Sequence, residues 1–508
     1  MQLPSVKTLL LLLVGCSSLL CHGKEQPPNI VIIYADDMGY GDLAIQNEKS
    51  KIPTPNLDQL AREGMRFSDA HSSSGICSPS RYALLTGNYH WRRKQGIVGS
   101  FGKPFFAQSD VTLPQVLQNS GYKTAAIGKW HLGWHWPFIN KPSGRSVTKK
   151  GEKKFYQPQD IDWKKAIKGG PLDHGFDYYF GDGTINFPPY AWIENDRVIK
   201  APNAVMTMQN IGQKVKEGSW EFRMGPKVEG WNPYDVLPTL TKKSQQWLGQ
   251  QKKDQPFFLY LALSSPHAPI IPNKEFEGKS QAGAYGDFMV QTDWVAGQVV
   301  DALKQHGLDD NTLVIFTSDN GPEKYAYQRA EQYGHYSSGD FRGLKRDVYE
   351  GGHHVPFIIK WPSKIQAGAV STEVISQVDI MATLAAITQS ALPKNSASDS
   401  YDISPILFNQ KYHSPLREAT VQNTKKDTYA LRQGKWLFIN KKSGQHTKAP
   451  KSYNQQHGYK SFQTGPLLFD LAADPGQRTN LHAKYPEKVT AMEQLLNKYR
   501  KQSYSVQH

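Results

Sequence analysis

Cysteine is scarce. The 508-residue chain has three, and Cys16 and Cys21 both lie in its first two dozen residues. A mature chain cut behind them would keep Cys77 alone, which excludes an intrachain disulfide. Exported proteins usually use cysteines in pairs, so a solitary one points to chemistry rather than stapling. There is also no Asn-x-Ser/Thr sequon, which favours a bacterial envelope over a eukaryotic secretory route. Acidic residues are in deficit, 45 against 60 Lys and Arg, for a net charge of +15. That balance suits a polyanionic partner. Many of the surplus lysines, as in Lys149-Lys150, Lys153-Lys154 and Lys441-Lys442, read as solvated faces. With no nucleic-acid module, internal repeat, heptad pattern or low-complexity tail, nucleic acid is not expected, and the substrate is left as the polyanion.

Long apolar runs are missing too. The longest near the start, Leu9 to Val14, follows Lys7 and fades by Leu20, too short to span a bilayer. Residues 1–23 read as a signal peptide with two exits. Leu13-Val14-Gly15-Cys16 has the form of a bacterial lipobox with Cys16 lipid-anchored, whereas cleavage after Gly23 would release a soluble protein. Either route exports the chain, to the periplasm, the outer membrane or the medium.

What is present is a globular composition, 38% apolar with 12 Trp and 25 Tyr, enough for one large core and a second smaller one. Ile30 to Tyr34 is an unbroken strand-like run, expected in the middle of a parallel sheet. It ends at Asp36-Asp37, and carboxylates at the C-terminal edge of such a strand lie where open α/β sheets bind ligands. Three more strands end in polar turns. Lys123 to Ile127 leads to Gly128-Lys129-Trp130-His131-Leu132-Gly133, Pro256 to Leu263 to Ser265-Pro266-His267-Ala268-Pro269, and Thr312 to Thr317 to Ser318-Asp319-Asn320-Gly321. Lys129 and His131, two residues apart in an extended segment, are expected to point the same way.

Helices are expected from Thr54-Pro55 to Gly64, over Ser80 to Thr86, Thr112 to Ser120, Leu237 to Gln250, Ala284 to His306, Val374 to Ile387 and Pro486 to Arg500. Pro79 suits a first helical turn and Gly87 an end, which puts Cys77 at a helix N-terminus, where backbone N–H groups favour an anion. Phe357 to Trp361 reads as another strand. The Pro/Ser/Asn-rich stretch 393–405 marks a boundary, giving a catalytic domain over 28–400 and a subdomain over 401–508, whose run Tyr429 to Ile439 turns at Gly434. Trp134 to Trp231 looks irregular, with a Lys-rich insertion from Lys141 to Lys168 of the kind that often carries selectivity. Trp134, His135, Trp136, His174 and Trp192 are candidate sugar contacts there.

Cys77-Ser78-Pro79-Ser80-Arg81 resembles the C-x-P-S-R motif of type I sulfatases, whose cysteine is oxidised to formylglycine by a maturation enzyme. The Asp36-Asp37 pair, the G-K-W-H-L-G string, the P-H-x-P setting of His267, Asp319-Asn320 and the block from Ser337 to Lys345 follow in family order, so the resemblance spans residues 28 to about 500. It implies an alkaline-phosphatase-like α/β sandwich, a large mixed sheet flanked by helices, with a small C-terminal antiparallel sheet. It implies Ca²⁺, with Mg²⁺ the less favoured ion, held by Asp36, Asp37, Asp319, Asn320 and an oxygen of modified Cys77, a hard-ligand set. Arg81, Lys129 and Lys345 would neutralise sulfate, His267 would protonate the leaving alcohol, and His131 would regenerate the aldehyde. The substrate expected is a sulfated carbohydrate, such as a carrageenan-type galactan or a glycosaminoglycan. The alternatives are a phosphatase or phosphodiesterase of the same superfamily, which would need Ser or Thr at position 77, and an inactive glycan-binding homologue, which would have lost motif residues. One departure stands out: relatives commonly have Arg where this chain has His354.

Overall fold

The computed structural model describes residues 26–148, 151–207, 215–218 and 221–508. The signal peptide and the lipobox at Cys16 lie outside them. Among the described residues no helix is long and apolar enough to cross a membrane.

Strand Asn29–Ala35 is buried along its whole length. Its residues alternate between two cores, Ile30, Ile32 and Tyr34 facing one and Val31, Ile33 and Ala35 the other. An unbroken apolar run is what a strand covered on both faces requires. On one face lie helices Cys77–Thr86, Leu113–Asn119 and Asp379–Thr388; on the other lie Pro55–Arg62, Val236–Leu248 and Gly283–Gln305.

The sheet has ten strands, in the order Ala369–Ser371, Met65–Phe67, Phe357–Lys360, Thr312–Ser318, Asn29–Ala35, Phe257–Ala262, Lys123–Lys129, Tyr178–Gly183, Ile193–Glu194 and Arg197–Val198. The five from Thr312–Ser318 to Tyr178–Gly183 run parallel, so their C-terminal ends share one edge. Phe357–Lys360 pairs antiparallel with Thr312–Ser318, and the sheet is therefore mixed. This is the α/β sandwich that the sequence led us to expect.

A second, antiparallel sheet is formed by Thr420–Lys425, Thr428–Gln433, Trp436–Ile439 and Leu467–Asp470. One face packs on helix Pro486–Lys501 through Leu431, Phe438, Met492 and Leu496. The other packs on Val348 and Tyr349, just beyond Lys345. Thr447 Oγ1 donates to the Lys345 carbonyl at 2.6 Å, and the backbone N–H of Val348 to the Gly444 carbonyl at 2.9 Å. The small subdomain thus braces the loop that carries Lys345.

Three local expectations are corrected. The helix expected from Val374 begins only at Asp379, because Ile375–Ser376 pairs as a short strand with Ala70–His71. The expected insertion carries an antiparallel hairpin, Gly144–Thr148 with Gly151–Phe155, so the region from Trp134 is less irregular than its composition suggests. The segment at His131 is not extended: His131 has φ +52° and follows Gly128 at φ +105°. A Cβ on Gly128 would lie 2.0 Å from the Ala262 carbonyl oxygen, so this turn needs glycine for space as well as for its dihedral.

Candidate active site

The shared edge of the parallel strands collects the polar turns. Asp36 and Asp37 follow the central strand, and their positions are set by its neighbours. The Asp36 N–H donates to the Ser265 carbonyl at 2.9 Å, the Asp37 N–H to Asp319 Oδ1 at 3.2 Å, and the Asp319 N–H back to the Ala35 carbonyl at 3.1 Å. Asp37 has φ +65°, which turns its side chain away from the strand direction.

Helix Cys77–Thr86 starts over this edge, and all of its residues are buried. Cys77 Sγ lies 3.5 Å from Asp36 Oδ1. Ligand atoms of Asp36, Asp37, Cys77 and His267 lie within 4.8 Å of one another. Arg81, one turn along, donates through Nε and Nη2 to Asp319 Oδ2 at 3.1 and 2.8 Å, and through Nη1 to the Lys129 carbonyl at 3.2 Å. Lys129 Nζ pairs with Asp36. Lys345 Nζ reaches both oxygens of Asp37 at 2.6 and 2.8 Å, and Glu323 at 3.8 Å. The structure therefore brings Asp36, Asp37, Cys77, Arg81, Lys129, His267, Asp319, Asn320 and Lys345 to one place. His131 lies beside them, facing a cavity.

The electrostatics are those of a crowded, water-poor cluster. Burial raises the Cys77 thiol far above its usual range; Asp319 adds to this, and Lys129 and Lys345 do not cancel it. An unmodified Cys77 is thus a poor source of thiolate. Asp319 is pushed up first by burial and next by Asp36, whereas Asp36 is held low by Lys129 against its own burial. In the structure Lys129, Lys345 and Arg81 pair the three carboxylates one for one. The donor set nevertheless fits a hard divalent cation. Asn320 donates through Nδ2 to Asp37 Oδ1 at 2.7 Å, while its buried Oδ1 has no partner. An orphaned amide oxygen among three carboxylates is a coordination point suited to Ca²⁺.

The two histidines differ. His267 donates Nδ1–H to the Ala268 carbonyl and leaves Nε2 3.6 Å from Asp37 Oδ2. Burial, then Lys345, lowers its imidazole to about 3. His131 donates Nε2–H to the Val98 carbonyl at 2.9 Å, and its buried Nδ1 has no partner. This tautomer follows from the carbonyl, which can only accept.

His354 is not in the cluster. Its Nδ1 lies 3.0 Å from Glu350 Oε2 and its Nε2 2.8 Å from the Ser68 carbonyl. Both partners are acceptors, the kind of pair that an Arg would serve with its N–H groups. Glu350 is held well below the usual carboxylate range although burial raises it, chiefly by His71 and then by His354. A carboxylate depressed in the folded state adds stability above its unfolded value, about 4.3, and loses it as the pH falls. His354→Leu leaves Glu350 short of a partner and is expected to cost about 3–5 kcal/mol. The urea midpoint should drop at pH 7, and the wild-type loss of stability below about pH 4.3 should become shallower. Unchanged midpoints at both pH values would contradict the network.

Sequence reasoning missed Glu323 and Asp182. Glu323 binds Arg346 through both oxygens at 2.6 and 2.8 Å and forms an outer wall behind Lys345. Its only signal was a further acid three residues after Asn320. Asp182 ends strand Tyr178–Gly183, on the same edge as Lys129. Of the candidate sugar contacts, Trp134 and Trp136 line the cavity beside His131. His174 packs on Phe106 and Trp130, Trp192 stacks on Phe180, and His135 bridges to Lys168.

A buried cysteine at a helix start, faced by three cations and an oxygen-rich pocket at a parallel sheet edge, is an arrangement suited to a hydrolase of anionic esters. The Sulfatase family model matches residues 28–390, and the N-sulphoglucosamine sulphohydrolase C-terminal model matches 339–503. An N-acetylgalactosamine-6-O-sulfatase of Bacteroides thetaiotaomicron is 32% identical, the match covering 96% of each chain. Human N-acetylgalactosamine-6-sulfatase is 31% identical over 94% of this chain and 86% of that one. A solved 6S-sulfatase structure from B. thetaiotaomicron, from work on glycosaminoglycan metabolism, superposes with a TM-score of 0.76 at 30% identity, covering 94% of this chain and all of that one. The fold extends further, to a phosphonate monoester hydrolase of Agrobacterium radiobacter with a TM-score of 0.57 at 17% identity, covering 94% of this chain and 96% of that one. The chain belongs to the sulfatase family, and it is an enzyme.

Proposed function

We propose that this enzyme removes sulfate from a sulfated carbohydrate, with the 6-sulfate ester of an N-acetylgalactosamine residue in a glycosaminoglycan as its substrate. The convergence of Cys77, three carboxylates and three cations on one sheet edge carries the reaction class. The relatives named for N-acetylgalactosamine 6-sulfate, matched along nearly their whole length, support the sugar. The surplus of basic residues suits a polyanionic chain.

In this reading Cys77 is converted to formylglycine by a maturation enzyme, and Asp36, Asp37, Asp319, Asn320 and residue 77 hold Ca²⁺. Together these groups supply a hydroxyl nucleophile of lowered pKa and a positive charge beside the sulfate. The other roles belong to the chain as it stands. With the acids engaged by such an ion, Lys129 and Lys345 would be free to turn from their carboxylates to the sulfate oxygens, and Arg81 holds Asp319 in place. His267 delivers a proton from Nε2 to the departing alcohol oxygen, with Nδ1 tied to Ala268. It takes up that proton as the anionic ester enters, since negative charge opposes the part of the shift that Lys345 adds to burial. His131 accepts a proton at its bare Nδ1 when sulfate is released. The enzyme reaches its substrate by export.

The test combines mass and product. The tryptic peptide Phe67–Arg81 from active enzyme should be lighter than its thiol form by the difference between CH₂SH and CHO. Sulfate should be released from 6-sulfated N-acetylgalactosamine in preference to 4-sulfated sugar. An intact thiol in fully active protein would overturn the mechanism, and equal rates on both sugars would overturn the substrate.

A further inference from the structure

Asp182 is 3% exposed, and neither of its carboxylate oxygens has a hydrogen-bond partner. Nothing in the catalytic cluster uses it: Lys129 pairs with Asp36 and Arg81 with Asp319. A buried carboxylate left without donors costs several kcal/mol, so a fold keeps one where something else supplies them. Burial holds its carboxyl up near 6, although its own backbone N–H and then Lys129 pull it down. His131 does not supply the donor either, since its own Nδ1 is also bare.

The surroundings indicate what does. Asp182 lines a cavity with His131, Trp134, Trp136 and Phe187. Phe187 stands edge-on to His131, ring centres 5.5 Å apart. The recess is small, about 30 Å³, so it admits the polar edge of a pyranose rather than the whole ring, and a carboxylate in it can accept hydrogen bonds from hydroxyl or amide N–H groups at that edge. Any proton released onto His131 would be released at the mouth of this same cavity.

We propose that Asp182 is the specificity-determining residue of this enzyme, accepting hydrogen bonds from unsulfated hydroxyl or amide groups on the ring that carries the scissile ester, and repelling a second sulfate there. The inference rests on the sulfatase reading above, whose sugar it does not presuppose. A site built to satisfy a buried acceptor penalises any substrate that lacks the donor. It also penalises a ring whose hydroxyl has been replaced by an anion.

The experiment compares Asp182→Asn and Asp182→Ala with the wild type on 6-sulfated N-acetylgalactosamine, its 4,6-disulfate and 4-nitrophenyl sulfate, with melting temperatures alongside. The ratio of kcat/KM for the monosulfated sugar to that for 4-nitrophenyl sulfate should fall at least tenfold in both variants, chiefly through KM. Discrimination against the disulfate should shrink most in Asp182→Ala. Melting temperatures should hold or rise, because an uncompensated buried charge has been removed; a merely structural role would lower them and leave the ratios unmoved. Ratios within twofold of wild type, in protein that releases sulfate from the sugar, would overturn the role of Asp182 while sparing the proposed function. If the wild type releases sulfate from 4-nitrophenyl sulfate but from neither sugar, the substrate reading fails, and a variant-to-wild-type ratio on a wider panel of sulfated monosaccharides then decides Asp182 by the same tenfold criterion.

Discussion

Replacing Lys345 by alanine is expected to lower kcat/KM about 100- to 1,000-fold, the usual effect of deleting one group that stabilises developing anionic charge in a water-poor site. Lys345 is 1% exposed and braced from behind, its carbonyl bound by Thr447 and its neighbours Val348 and Tyr349 packed on the small sheet. The ammonium therefore has few places to go other than Asp37, Glu323 or an incoming oxyanion. Lys129→Ala should behave alike, since Lys129 faces the same cluster from the strand next to Phe257–Ala262. The far-ultraviolet circular dichroism of both variants should match wild type. Near-normal turnover in either would remove that lysine from sulfate binding.

Chelation of divalent cations should silence the enzyme and lower its melting temperature, with Ca²⁺ restoring both more fully than Mg²⁺. Burial and mutual repulsion already push Asp37 and Asp319 up, so an ion seated between them relieves a cost the folded chain bears alone. At a free ion concentration about a hundred times the dissociation constant, the gain is about 2.7 kcal/mol. Ca²⁺ is favoured because its larger, looser shell accepts carboxylates and an amide oxygen at irregular angles, whereas Mg²⁺ demands a near-octahedral set. Full activity and an unmoved melting curve in thoroughly chelated protein would sink the assignment of Asp36, Asp37, Asp319 and Asn320 as ion ligands.

Four of the five parallel strands at the sheet edge were legible because each is a short run stopped by a polar turn, whereas Tyr178–Gly183 lay in the stretch that reads as irregular. Ile30 to Tyr34, Lys123 to Ile127, Pro256 to Leu263 and Thr312 to Thr317 all follow that rule, and their last residues could be grouped before any coordinates. What escaped is instructive in the same terms. Asp182 sits in Gly181-Asp182-Gly183, which on paper is an ordinary turn; only burial without partners distinguishes it. Strand Ile375–Ser376 is two residues long, and its pairing with Ala70–His71 comes from 300 residues away in the chain, beyond any local pattern. The kink at His131 depends on the Ala262 carbonyl filling the space beside Gly128, which is a fact about a neighbouring strand. The pairing of Lys129, Lys345 and Arg81 with the acids was hidden for a simpler reason, since spacing does not say which charges face each other.

Cys77 has no solvent-accessible surface once the chain is folded, and the helix it begins is enclosed from end to end. On the proposed conversion of Cys77, no protein catalyst could grip the side chain in that position, so the change would have to come while the polypeptide is still open. Folding would then act as a one-way door: molecules that close early would stay inactive for their lifetime, and only unfolding them would give the maturation enzyme a second chance.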